Sequence, residues 1–380
     1  MATGTRTSLT DTLNQKRGIS DAIFMIDWQK APLLNIFGMN ALKKFKLVNW
    51  PGMKAELLED TMSPYTTTLN GNHDNSTTTI AVASTTGAQF RQGDIILIDS
   101  EKMLVVSVSS DNLTVATRPY GSTSAAAHTS GATITITTRA MPEASDVVTG
   151  HTTTLTGPYN YPQIISEAVK VSKTELAILK YGIADTMDYH VAKLFADGGN
   201  AGKLAQFLQR TFYWGEKVQR STGNAYGSMG GFKTFVTTNV TALAGASLQK
   251  SDIHTKVRQI RDAGGDVSHV VTNSWGIEKV NAMYEGTIRT TQDTKRGGSA
   301  ITMVKTPHGE FELVYDWMCP GGEMYFCNQD KIGWFPLREF DTNEIKEQGD
   351  YHVQDVVGEY CFLVANQKSH GLITGFSESS

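Results

Sequence analysis

The sequence predicts an α+β chain: a mixed helix-and-sheet body carrying an all-β insertion, with an arm and a long hairpin region ahead of it. Three observations lead there. Residues 67–138 hold 24 Ser or Thr in 72 positions, with Pro119 the single proline and no helical period. Residues 174–220 form the longest helix-compatible stretch. Residues 310–376 alternate short apolar strands with turn residues and contain no nucleophile motif, metal cluster or phosphate loop.

Bulk properties fit that class. At 380 residues the chain has room for two or three domains, each with its own core. Apolar residues make up 40% and charged residues 19%, the balance of an ordinary folded protein. No stretch approaches the roughly 20 apolar residues of a membrane span, and the amino end, MATGTRTSLTDTLNQKRG, lacks the apolar centre of a signal peptide. Cys319, Cys327 and Cys361 form no C-x-x-C pair, so packed thiols are expected and no metal. Residues 1–54 carry eight basic side chains against three acidic ones, so a net charge of −4 divides into a +5 arm and a −9 remainder. A basic arm suits a polyanion or the acidic face of another subunit, or is simply solvated.

The elements follow in order. Between Ile19 and Phe37 lie Ile23, Phe24, Ile26, Trp28, Leu33, Leu34 and Ile36 with Pro32 and no clear helical period. Such a segment cannot bury itself, and docking on the body or on a neighbour is expected. Residues 67–138 read as five β-branched strands joined by short turns, hence a small antiparallel barrel or sandwich. Gly93-Asp94 and Asp111-Asn112 supply tight turns, with Asn112 suited to positive φ.

In the helical centre, Met187, Val191, Leu194 and Phe195 share one face, as do Leu204, Phe207, Leu208, Thr211 and Phe212. Early acids (Asp185, Asp188) and late bases (Lys217, Arg220) complement a helix dipole, while Gly198-Gly199 marks a break. YGSMGGFKTFVTTNV (226–240) reads as a glycine turn running into a strand with no helix after it. Ser251–Ala263 is a helix capped by Ser251 and stopped at Gly264-Gly265. HVVTN is a buried strand, and SWGIEKVNAMY a helix capped by Ser274. The polar, basic loop 287–300 is expected to be mobile or interfacial rather than core.

Catalytic chemistry is missing from the pattern. Nine histidines are scattered, with no H-E-x-x-H, no G-x-S-x-G, no Walker loop and no G-x-G-x-x-G. Glu56, Glu59 and Asp60 cluster near Pro51 and Pro64, where an exposed charged hairpin edge accounts for them better than a metal. No catalytic residue, cofactor or metal site is expected.

The residues GDIILIDSEKMLVVSV and RPYGSTSAAAHTSGA in the insertion, MGGFKTFVTTN after the helix, and LREFDTNEIKEQGDYHVQDVVGEYCFLVANQKSHGLITG at the end carry a resemblance. The chain resembles the tailed-bacteriophage major capsid proteins of the Hong Kong 97-type fold, in the branch with a β-barrel insertion in the extended loop. The resemblance covers most of residues 15–376. It implies an N-terminal arm (1–48) and an extended loop (49–163) containing the insertion domain (67–138). It further implies a peripheral domain with a long spine helix (164–221), an axial domain (222–323) and terminal peripheral strands (324–380). The sequence departs from the relatives at Gly198-Gly199, where they carry an uninterrupted charged helix.

The implied function is that of a major capsid protein forming pentamers and hexamers of an icosahedral shell around double-stranded DNA. The shell would be built in the bacterial host cytoplasm and would become the virion capsid. Scaffold, portal and decoration proteins are possible partners, with no membrane involved. Interface expectations fall on Phe24 and Trp28 in the arm, and on Trp50, Glu56 and Tyr65 at the base of the extended loop. Arg289, Lys295 and Arg296 are expected at the capsomer centre, and Lys346 and Asp350 in the peripheral turn. Tyr360, Phe362 and Val364 should face the core. The alternative is a glycan-binding adhesion module using the Ser/Thr-rich β domain, although β-propensity explains the threonines more simply. A hydrolase with an unrecognised site ranks last.

Overall fold

The structure is a computed structural model and describes residues 30–39, 41, 45, 52–60, 64–143, 155–180, 183, 185–195, 201–284, 303–346 and 349–378. Its elements begin with α1 (Pro32–Phe37), β1 (Ala55–Glu56), β2 (Thr66–Thr68), β3 (Thr79–Ala81), β4 (Asp94–Ile98), β5 (Glu101–Ser109), β6 (Asn112–Val115) and β7 (Thr133–Arg139). β8 (Tyr159–Asn160) and β9 (Gln163–Ser172) lead to α2 (Lys173–Ala177), α3 (Thr186–Leu194), α4 (Lys203–Trp214) and α5 (Phe232–Phe235). Next come β10 (Val240–Ala242), α6 (Lys250–Asp262), β11 (His269–Thr272), α7 (Ser274–Tyr284), β12 (Met303–Thr306) and β13 (Gly309–Tyr315). The chain closes with β14 (Glu323–Cys327), β15 (Ile332–Ile345), β16 (Tyr351–Val364) and β17 (Gly371–Thr374). The fold is α+β, as the sequence predicts.

Two compact units result, Leu58–Thr156 and the remainder of the chain. The first is a barrel. Its six strands pair antiparallel in the order β2-β7-β4-β5-β6-β3. A bridge between Leu69 and Val82 then joins the first strand to the last, with Asn70 N–H to Ala81 O and Ala83 N–H to Thr68 O both at 2.9 Å. Closure removes the unpaired edges that a sheet this short would expose. Alternation fills the interior: Ile80, Phe90, Ile96, Ile98, Met103, Val105, Leu113 and Ile134 are all buried. Gly93 takes φ +86°, as its turn requires, but at the β5–β6 turn Ser110 rather than Asn112 adopts positive φ. The Asp111 carboxylate explains this shift, since it accepts from Thr85 N–H and Gly87 N–H and fixes the turn one residue earlier.

The other unit holds two principal sheets. A mixed six-stranded sheet runs β10-β17-β14-β11-β13-β12, and Val257, Ile260, Val280, Phe311, Phe326 and Ile373 fill its core against α6 and α7. A three-stranded antiparallel sheet runs β15-β16-β9, dominated by the long β15–β16 hairpin. The terminal seventy residues therefore divide between both sheets. Tyr360, Phe362 and Val364 are buried with Leu204, Leu208, Phe212 and Trp334. Phe212 lies at the centre, 5.1–6.4 Å from the rings of Phe232, Tyr325, Phe362, Phe37 and Trp334.

Several expectations change. The long helix over 164–221 is not one helix: Gln163–Ser172 is strand β9, and α2, α3 and α4 follow as separate pieces. In β9, Ile165 and Val171 are buried while Ile164, Ser166 and Lys170 are exposed, a two-residue period that suits a strand. Gly198-Gly199 lies outside the described residues. α4 ends at Trp214, so Lys217 and Arg220 fall beyond it and complement no dipole there. Segment 31–37, expected without helical period, forms α1 and buries Leu33, Leu34 and Phe37 in the chain's own core. One helical turn, α5, does follow the 226–231 glycine segment. α6 starts at Lys250, with the Asp252 carboxylate accepting from Gln249 N–H at 2.9 Å, which displaces Ser251 from the cap. Asn273 caps α7 through Gly276 N–H at 2.9 Å, one residue before Ser274. Gly264, at φ +80°, stops α6 as expected, with Gly265 N–H returning to Ile260 O.

Candidate subunit interface

Strands β1 and β8 form a two-stranded ladder that pairs Ala55 with Asn160 and Glu56 with Tyr159, continued by Leu57 N–H to Pro158 O at 2.9 Å. Its anchor is Asn160, fully buried. The side-chain amide donates to Gly230 O (2.9 Å) and Phe362 O (2.6 Å), and its oxygen accepts from Gly230 N–H (2.8 Å) and Tyr161 N–H (2.9 Å). Sequence reasoning did not single out Asn160, because the groups it joins are remote in the chain. Glu56 pairs with Lys54 at 3.1 Å on the surface. Lys54 and Lys217 each hold an ammonium over the Tyr159 ring, 4.0 and 4.1 Å from its centre. In the barrel unit, Leu58, Leu155 and Tyr65 are 77%, 60% and 68% exposed.

The distal half of the β15–β16 hairpin forms a second surface. Beyond bulges at Pro336/Arg338 and Arg338/Asp341, β15 turns outward and residues 341–345 are exposed. Lys346 and Asp350 both lie exposed at this tip, one on each side of the turn, so the structure brings these two expected residues together. Lys173 N–H reaches Asp350 O at 3.4 Å, and the Lys170 ammonium sits 3.5 Å over the Tyr351 ring. Beside them Ile345 and Ile178 are about half exposed and Leu179 is 99% exposed. Phe24, Trp28, Trp50, Arg289, Lys295 and Arg296 lie outside the described residues.

Perturbed titratable groups often mark active sites, but several of those here are sealed inside. Asp74 owes its lowered pKa to hydrogen bonds from Thr77 and Ser76, and Asp111 to those from Gly87 N–H and Thr85 N–H. Asp316, fully buried, accepts from Tyr213 OH, from Gln209 Nε2 (2.6 Å) and from Met318 N–H (3.0 Å). Burial raises its pKa, and burial followed by the neighbouring carboxylate raises that of Tyr213 well above the phenolic norm. In the barrel the Arg118 guanidinium grips Glu101 through Nε (2.9 Å) and Nη2 (2.7 Å), with both side chains at most 2% exposed. Burial alone would raise the Glu101 pKa; bonds from Arg118, Ala126 N–H and His128 outweigh it and hold the carboxyl below its usual range. All three cysteines are free and buried, their thiol pKa values pushed up by that burial. Among the described residues no cluster of His, Cys, Asp or Glu suits a metal ion. No helix there is long and apolar enough to cross a membrane.

Buried polar networks, buried thiols and large apolar side chains left exposed are features that suit a structural subunit. The chain matches the family described as SU10 major capsid protein over residues 2–377, and it belongs to that family. Its class is non-enzymatic. Solved structures share the fold along the whole chain. The capsid asymmetric unit of cyanophage A-1(L) has a TM-score of 0.57 at 12% identity, covering 98% of this chain and 100% of that one. A chain from Mycobacterium phage Bobi has a TM-score of 0.52 at 6% identity, with 97% and 98% covered. One from Mycobacterium phage Cain has 0.51 at 7%, with 99% and 100% covered. No curated protein sequence matches the chain. The family assignment leaves the glycan-binding alternative without support.

Proposed function

We propose that copies of this chain polymerise as pentamers and hexamers into an icosahedral head shell of the Hong Kong 97 type, enclosing double-stranded DNA. Assembly takes place in the bacterial host cytoplasm, where scaffold, portal and decoration proteins are the expected partners. The barrel unit is the insertion of the extended loop, and the three-stranded sheet with α3 and α4 is the peripheral domain. The six-stranded sheet with α6 and α7 belongs to the axial domain. One observation carries the reading: Leu58, Leu155, Leu179 and Ile345 stand exposed, and their own unit does not cover them. In a shell, neighbouring copies cover such positions. The slightly acidic body agrees with a container for DNA, whereas a protein that coats DNA would be strongly basic.

Purified protein should form closed shells in negative-stain micrographs. The pair Lys346→Glu with Asp350→Lys should reduce shell yield at least tenfold. Both side chains are exposed, so the melting temperature should move by no more than about 2 °C. A monodisperse monomer that stays unassembled across salt and crowding conditions would sink the proposal. Wild-type shell yield from the charge-reversed pair would remove Lys346 and Asp350 from the contacts that assembly requires.

A further inference from the structure

A groove of about 700 Å³ runs between β9 and the helices α3 and α4. Its floor is apolar, formed by Val169, Leu194 and Phe207. Its walls carry Lys170, Lys193, Lys203 and Arg210, with His190 beside them and no acidic side chain in the lining. The α4 contribution is one helical stripe, Lys203, Gln206, Phe207 and Arg210, on the side opposite the core residues Leu204, Leu208 and Phe212. Lys203 is neutralised by Glu167 at 2.7 Å, whereas Lys193 and Arg210 have no acidic partner among the described residues.

The chain meets this groove at its amino end. Lys30 bridges Ala201 in antiparallel sense, immediately before α4 begins. The bridge therefore sets Lys30, the first described residue, at the end of the groove where α4 begins. The upstream sequence is Ile-Ser-Asp-Ala-Ile-Phe-Met-Ile-Asp-Trp over residues 19–28, outside the described residues. It carries Asp21 and Asp27, no base, and seven apolar side chains. The rest of residues 1–54 is strongly basic, so this acidic, apolar decamer stands out within its own arm.

The geometry points to residues 19–28 of the same chain as the occupant of the groove, with Phe24 or Trp28 covering the Phe207 floor and the two aspartates facing Lys193 and Arg210. Charge, apolarity and point of entry agree on this occupant. A ten-residue segment reaches up to roughly 35 Å when extended, and eight residues of α4 span about 12 Å, so length sets no barrier. Duplex DNA would satisfy the cations but leave Val169 and Phe207 wet. The docked segment would seat the arm on its own subunit before any neighbour arrives.

The test uses the full-length chain before assembly, so its outcome is independent of shell formation. The native thiols are buried, which leaves the added pair in Ile23→Cys/Phe207→Cys as the reactive one. Oxidation should give an intrachain disulfide at monomer mass, mapped to peptides 19–28 and 203–210. A charge exchange supplies a second measurement that does not alter the floor. Lys193→Glu/Arg210→Glu should cost residues 19–28 at least tenfold in amide-exchange protection, Asp21→Lys/Asp27→Lys should do the same, and the four changes together should restore it. An exclusively interchain disulfide would overturn the inference by assigning the groove to another copy's arm. It is also overturned if a short DNA duplex protects the groove lysines from acetylation while residues 19–28 exchange freely, or if the four-fold exchange restores nothing.

Discussion

Asn160 makes four hydrogen bonds from a position with no solvent exposure, and through them the end of β8, the turn before α5 and strand β16 are held as one piece. Asn160→Ala would leave Gly230 N–H, Gly230 O and Phe362 O without their partner. An unsatisfied buried polar group costs about 1–3 kcal/mol, so the loss in urea unfolding should exceed that of any surface substitution nearby. Asn160→Asp should be worse, because a carboxylate would face two carbonyl oxygens. His370 sets a pH limit. Its Nδ1 accepts from Asn328 N–H at 3.2 Å, so the proton sits on Nε2, which donates to Ala365 O at 3.2 Å. Burial pushes the imidazole pKa from 6.5 down to about 3. The unfolded chain therefore binds a proton between those values and the folded chain does not. The stability due to neutral His370 is complete above pH 6.5 and is lost as pH falls towards 3, at about 1.4 kcal/mol per pH unit. Urea midpoints measured from pH 7 to pH 4 should fall more steeply for the natural chain than for His370→Gln. Parallel curves would contradict the assignment.

At the scale of elements, the barrel depends on one buried ion cluster. Arg118 holds Glu101 bidentately and also donates to Asp74 O, Thr77 O and Ala126 O, while His128 lies between Glu101 (3.1 Å) and Asp99 (2.7 Å). Three segments of the barrel unit, at 74–77, Glu101 and Ala126, converge on that guanidinium. Arg118→Met should destabilise the barrel by about 3–5 kcal/mol, since it leaves a buried carboxylate without its cation. Hydrogen exchange by mass spectrometry should then show β4 and β5 losing protection while β14 and β16 keep theirs. The barrel is also the element most legible in the sequence, because its strands alternate over short stretches joined mostly by tight turns. β9 is the opposite case. Its partner is β16, with Gln163 opposite Tyr360 and Ser172 opposite Tyr351, and no local pattern announces a pairing so remote. The residues read as helix-compatible only from 174; the resemblance carries the expected helix back to 164, over Ile165, Val169 and Val171, which alternate as a strand. The caps slipped for a similar reason: Ser251 and Ser274 are good capping residues, but Gln249–Asp252 and Asn273 start their helices first. Exposure of Lys346 and Asp350 could be read from a charged turn between two long strands. The anchoring role of Asn160 could not, since its partners come from distant segments.

At the scale of the whole molecule, Leu58–Thr156 forms a compact unit of its own, and the flanking chain pairs outside it. Leu57 N–H bonds Pro158 O on the body side, and Glu59 pairs with Thr156 on the barrel side. The apolar cluster of the barrel runs from Leu69 to Ile134, and neither large cluster of the remaining unit includes a residue from that span. Replacing residues 58–156 by Asp-Gly would leave Leu57 and Pro158 opposite each other across a three-residue loop ending in Gly157, a length that antiparallel ladders accept. The shortened chain should therefore keep its body fold. Near-UV circular dichroism should retain the signal of fully buried Trp334, and the melting temperature of the body should change by only a few degrees. Shell assembly should respond differently, because the deletion removes Leu58, Tyr65 and Leu155, which the barrel unit leaves uncovered. Loss of the Trp334 signal would mean that the body needs the barrel to fold. Closed shells of ordinary yield from the shortened chain would mean that these exposed side chains make no contact that assembly requires.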